Sequence, residues 1–140
     1  MEQKDKDLLL QDLCARLPYK VKASYHGAAE ECECWDEVEG IVNDYVEIGQ
    51  YSLPIEAVKP YLFPLSSITE EQRYELLAEH SKDTQIVLNI AKEVCVDKNS
   101  DKRGLGITHY AEGWCNKNHF DYRGLIENGL ALDATGLNIY

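Results

Sequence analysis

Lys59-Pro60-Tyr61-Leu62-Phe63-Pro64-Leu65-Ser66-Ser67-Ile68-Thr69-Glu70-Glu71-Gln72 separates two kinds of sequence in this 140-residue chain. Before it, short stretches rich in Tyr and Val alternate apolar and polar residues; after it, apolar residues recur at helical spacing. Pro60 and Pro64 fix φ at their own positions and push Lys59 and Phe63 towards extended backbone. The stretch is therefore expected to end a strand and to hold off any helix until Ser67. Thr69 and Gln72 then have the spacing of a capping box, and Glu70 and Glu71 place negative charge where the helix dipole favours it.

Upstream, Leu9, Leu10, Leu13, Cys14 and Leu17 make the apolar stripe of a helix over Asp7–Leu17, which Pro18 stops. Tyr19, Val21, Ala23 and Tyr25 alternate with polar residues, predicting a half-buried strand near 20–25. Further strands are expected at 31–41, 45–49 and 53–58, turned by Asn43-Asp44 and Gly49-Gln50. Short strands at this density suggest a small curved sheet or an SH3-like barrel over residues 19–63.

Downstream, helices are expected at 70–79 and 107–117, the second on a stripe of Ile107, Tyr110, Ala111, Trp114 and Cys115. Ile86, Ile90 and Val94 predict a helix across 84–96, although their β-branching also suits a strand. Asp97 to Gly106 is the most loop-like stretch and is expected to be mobile. Asp121 can cap a short helix, Tyr122 to Asn128, closed by Gly129; the tail from Leu130 reads as loose strand or coil. The fold class is α+β in a single domain: an N-terminal helix, a small antiparallel sheet, and a helical C-terminal part.

Composition narrows the function. At this length roughly 68–70% of the unfolded chain's surface can be buried, enough for one core. No apolar run approaches the ~18–20 residues of a membrane span. The charged start Met1-Glu2-Gln3-Lys4-Asp5-Lys6-Asp7 does not resemble a signal peptide, so a cytoplasmic location is expected. A net charge of −11, from 25 acids against 14 Lys and Arg, disfavours direct nucleic-acid binding and favours a basic protein surface as partner. Five cysteines, Cys14, Cys32, Cys34, Cys95 and Cys115, are an odd, scattered set, expected to be buried thiols.

Three constellations bear on chemistry. Residues 30–39 carry six carboxylates, and on a strand Glu31, Glu33, Trp35, Glu37 and Glu39 share one face, while Cys32, Cys34, Asp36 and Val38 share the other. That face is either a solvated sheet surface or a ladder of charge for docking on a basic groove. Cys32, Cys34, His109, Cys115 and His119 could be assembled as a zinc site. However, Cys-x-Cys on a strand sets its sulfurs about 7 Å apart, unlike a zinc knuckle. Cys115 and His119 stand four apart, as a thiol nucleophile and its base would on a helix, but Cys115 completes the apolar stripe and a buried thiol is inert. His119, Tyr122 and Arg123 form either a recognition patch or plain architecture, with Phe120 buried, Asp121 capping and Arg123 paired to an acid.

Leu8-Leu9-Leu10-Gln11-Asp12-Leu13-Cys14-Ala15-Arg16-Leu17-Pro18-Tyr19, Lys59 to Ser67 with Thr69-Glu70-Glu71, and Trp114 followed by Asn116-Lys117-Asn118-His119-Phe120-Asp121-Tyr122-Arg123-Gly124-Leu125-Ile126 carry a resemblance. In these stretches the chain resembles a family of small proteins from gut Bacteroidales phages, prophages and mobile elements. The resemblance implies an origin and brings no functional residues with it. It is weakest over 84–106, where any role particular to this member is expected to lie. The expected function is that of a small acidic accessory protein that binds a host protein, with host-defence inhibition as its setting. The binding residues are Glu31, Glu33, Glu37, His119, Tyr122 and Arg123, with no catalytic residue, metal or cofactor. A sponge for a small anionic nucleotide signal, using Arg123, Tyr122, Arg103 and Lys102, is the alternative, and a small hydrolase the third.

Overall fold

The computed structural model describes residues 1–26, 33–72, 75 and 112–140. The expectations for 84–106, for most of 70–79 and for the start of the 107–117 helix lie outside these residues. Helix α1 spans Gln3–Arg16 and begins before the apolar stripe does. Its buried face is Leu9, Asp12, Leu13 and Arg16, an i, i+3, i+4, i+7 set. Cys14 is exposed, and Leu10 and Leu17 are half-buried. This corrects the sequence reading of an all-apolar seam: the stripe turns to admit a charged pair. Pro18 ends the helix as expected, within a 3₁₀ turn at Leu17–Tyr19.

Strands β1 (Lys22–His26), β2 (Glu33–Val42), β3 (Tyr45–Ile48) and β4 (Tyr51–Pro54) form an antiparallel meander. Asn43 and Gly49 adopt left-handed φ of 55° and 57° in its two tight turns, as turn chemistry requires. The strand expected over 53–58 is a correction. Tyr51–Pro54 ends at a 3₁₀ turn, Ile55–Ala57, and a separate strand β5 covers Val58–Pro64. The proline-rich stretch does end a strand, at Pro64, but its first half is that strand, paired to β1 with Ser24 opposite Lys59.

Backbone parity explains how β5 tolerates Pro60. Val38 N–H donates to the Val21 carbonyl, so the odd residues of β1 face β2 and Lys22 and Ser24 face β5. Lys59 is then the β5 residue that faces β1, which leaves the missing donor of Pro60 on the other edge. Where β1 and β5 part, the Tyr140 hydroxyl fills the gap, accepting from Lys22 N–H at 2.8 Å and donating to the Tyr61 carbonyl at 2.8 Å.

Two short C-terminal strands complete a mixed sheet of seven strands among the described residues. Both β6 (Phe120–Asp121) and β7 (Leu132–Asp133) run parallel to β5, so the sheet is not wholly antiparallel. Phe63 N–H donates to the His119 carbonyl, whereas the Leu62 carbonyl accepts from Ala134 N–H. Adjacent residues point to opposite edges, so β6 and β7 flank β5 on different sides. The sheet stays open and does not close as an SH3-like barrel. Closure would require the outer edge of β4, which ends on Pro54, to find a partner on β5, which already holds β1 and β6 along one edge and β7 on part of the other.

The local start and stop signals hold. Thr69 and Gln72 make both bonds of a capping box, Gln72 Oε1 accepting from Thr69 N–H and Thr69 Oγ1 from Gln72 N–H. Residues 112–117 are helical, whereas the helix expected from Tyr122 to Asn128 is a correction: this segment is a hydrogen-bonded turn over 125–129. Asp121 caps that turn with both carboxylate oxygens, at 3.0 Å from Leu125 N and 2.9 Å from Ile126 N. Gly129, at φ 72°, closes it in a Schellman arrangement, with Leu130 N–H reaching the Leu125 carbonyl and Gly129 N–H the Ile126 carbonyl. Replacing Asp121 by Ala strips two backbone donors of their acceptors and is expected to lower stability by about 1–2 kcal/mol in urea denaturation.

The inner face of the sheet, with Val21, Ala23, Tyr25, Val38, Val46, Ile48, Val58 and Leu62, packs on Leu9 and Leu13 of α1 and on Leu125 and Leu130. On the outer face, Tyr61 and Phe63 are covered by the C-terminal residues Ala134 and Ile139 and by Trp114, Phe120 and Leu65. This cover reaches Tyr140 beside Lys22 and extends no further along the sheet among the described residues.

Candidate functional site

The rest of the outer face, over β2, β3 and β4, is bare among the described residues. Alternation puts Trp35 and Glu37 on it, opposite Ser24 and Lys22 of β1. A bulge between Val38 and Gly40 inserts Glu39 and restores the register, so that Gly40 lies opposite Glu47, and Val42 opposite Tyr45. The next strand continues both rows with Ser52 and Pro54. Trp35 is 49% exposed, Tyr45 51% and Val42 58%, large values for apolar side chains in paired strands.

Charge is arranged between these apolar ends. Glu37 and Glu47 are half-buried and Glu39 is exposed. The Ser52 hydroxyl donates to Glu47 Oε1 at 2.8 Å and holds that carboxylate in place. Lys22, the cation nearest the row in register, turns away, donating to the Ile139 carbonyl at 2.7 Å and lying 5.3 Å from the Trp35 ring and 5.7 Å from that of Tyr140. Behind the face, Asp36 Oδ1 accepts from Glu37 N–H, and Asp36 Oδ2 lies 3.0 Å from where a side chain on Gly49 would begin.

Of the six residues expected from sequence, the structure brings only Glu37 to this face with its side chain described. Glu33 opens β2 opposite His26. Glu31 lies outside the described residues. The other three stand together in the C-terminal part, as internal supports. Arg123 Nη1 donates to Asp12 Oδ1 at 2.7 Å, and its guanidinium lies 4.4 Å from the Tyr122 ring. Arg16 donates twice to Asp12, at 2.8 and 3.1 Å, and also to the carbonyls of Cys115 and Phe120. Asp12 and Arg16 are fully buried, so α1 is fastened to the C-terminal part by a sealed ionic network.

Tyr122 donates its hydroxyl to Asn116 Oδ1 at 3.0 Å, and burial pushes its phenol up to about 12. His119 is buried, left-handed at φ 62°, and stacked on Tyr140 at 3.8 Å between ring centroids. Burial first, then the charge of Arg16 and Lys22, push its imidazole down to about 4 despite the opposing pull of Asp12, leaving it neutral near pH 7. Its Nδ1 and the Trp114 Nε1 are buried without a hydrogen-bond partner among the described residues.

The helix at 112–117 stops short of His119, which removes the continuous helical turn that would have set this ring beside Cys115. Cys32, His109, Lys102 and Arg103 lie outside the described residues, and with them parts of the zinc and sponge sets. Sequence reasoning missed Asp12 and Arg16, although their spacing with Leu9 and Leu13 carried the signal. It also missed Glu47 and Tyr45, which only the strand register joins to Glu37. Among the described residues no helix is long and apolar enough to cross a membrane. Compared with family models, curated proteins and solved structures, the chain matches none.

Proposed function

We propose that the chain is a small acidic accessory protein of a phage or mobile element that binds a basic surface of a host protein, in the setting of host-defence inhibition. The observation that carries this reading is the bare sheet face, where Trp35, Val42 and Tyr45 are exposed around Glu37, Glu39 and Glu47. Exposed aromatic side chains supply binding energy out of proportion to their area, and carboxylates between them select and steer a cationic partner. The net charge of −11 acts in the same sense at longer range. The sponge reading is less favoured because Arg123, its leading anion ligand, is held by Asp12.

The test needs a partner captured from host lysate and then purified. Its affinity should fall as salt shortens the screening length below about 8–10 Å. Replacing Glu37, Glu39 and Glu47 together by Gln should slow association by roughly tenfold or more while leaving the melting temperature unchanged. Trp35→Ala should weaken the complex by roughly 30-fold, the scale of a central aromatic contact. Binding indifferent to salt and to all three glutamates would overturn the proposal.

A further inference from the structure

Gly40 sits in the interior of β2, where a glycine weakens a strand and needs a reason. Neither its dihedral nor its packing supplies one. Its φ lies outside the left-handed region, so the backbone does not demand glycine. A Cβ built there meets nothing within 4 Å among the described residues, so packing does not demand it either. The adjoining bulge inserts Glu39 and is a common setting for glycine in a strand, and it leaves the Cβ position of Gly40 open. What glycine leaves is a low point in the middle of the bare face. Across the strand from it stands Glu47, oriented by Ser52, and on the next row Val42, Tyr45 and Pro54 form an apolar wall.

We infer that Gly40 is the point of closest approach of the partner, and that the occupant is an arginine side chain on an extended segment of that protein. Its aliphatic stem would lie over Gly40 against Val42 and Tyr45, and its guanidinium would meet the Glu47 carboxylate. Charge complementarity selects this occupant over a second copy of the chain, because two such faces would set like carboxylates against each other. A segment added to the outer edge of β4 would leave Gly40 untouched, and Pro54 already removes one donor from that edge. This inference rests on the reading of the bare face as a protein-binding surface and makes that reading specific.

Fluorescence anisotropy of labelled peptides with the full chain at low ionic strength tests it, using alternating arginine and serine, with lysine and glutamate versions for comparison. The arginine peptide should bind more tightly than the lysine peptide, because a planar guanidinium pairs two-pronged with a carboxylate, and the glutamate peptide should not bind. Gly40→Val fills the low point and should weaken arginine-peptide binding by roughly tenfold or more, with a melting temperature unchanged or raised. Glu47→Gln should weaken it similarly, and Glu56→Gln, which alters an ion pair with Lys6 outside this face, should not. If Gly40→Val does not fold, Gly40→Ala carries the same comparison with a smaller loss. Wild-type affinity in the folded Gly40 variants overturns the inference. In that case, weaker binding on replacing Glu37, Glu39 and Glu47 by Gln would keep the acidic-face reading. If the arginine peptide fails to bind the wild-type chain, or binds no better than the glutamate peptide, the inference falls outright.

Discussion

Asp12→Ala is expected to lower the free energy of unfolding by roughly 3–5 kcal/mol, the cost of removing one member of a buried ionic network. Arg16 is fully buried, and without Asp12 it loses both of its carboxylate bonds, while Arg123 loses the same partner. Domains of this kind are stable by about 5–15 kcal/mol, so the variant stands near its unfolding threshold at ordinary temperature. Urea denaturation should show a lower midpoint with an unchanged slope. Replacing Asp12 by Leu and Arg16 by Met together removes both charges and keeps most of the volume, so the double variant should lose less than the single one. A double variant as unstable as Asp12→Ala would show that Arg16 matters for its bonds to the Cys115 and Phe120 carbonyls and not for its charge.

Acid should destabilise the fold through His119. The unfolded imidazole takes a proton near 6.5, whereas the folded one resists until about 4. The folded pKa is depressed and the group is a base, so its contribution is fully present above 6.5 and is lost as pH falls from 6.5 towards 4. The gap caps the loss at about 3 kcal/mol. His119→Asn keeps a residue that tolerates the left-handed backbone, and should flatten the slope of stability against pH between 6.5 and 5, whatever its overall stability. An NMR titration that finds the His119 ring protonating near 6.5 would refute the buried, neutral histidine. Lys22 and Arg16 oppose the added charge and Asp12 favours it, so Asp12→Ala should depress the titration further.

What the chain encodes locally was legible without the structure. The capping pair Thr69 and Gln72, the stop at Pro18, the turns at Asn43 and Gly49, and the Asp121 and Gly129 boundaries are matters of backbone dihedral and nearest-neighbour hydrogen bonding. Each can be read within five residues, and together they determined the α+β order of elements. The alternation along 33–38 likewise set which side of β2 would face the core, before any partner strand was known. The tertiary structure decided the rest, because partnership between distant residues leaves no local trace. Pro60 reads as a strand breaker until parity shows its empty position on the edge of β5 that does not face β1. Asp12 and Arg16 read as surface charges until Arg123, more than a hundred residues away, comes to share the carboxylate. Which half of the outer sheet face is covered, and which stays bare among the described residues, depends on where the chain from Phe120 to Tyr140 returns, and burial against Tyr61 and Phe63 decides that.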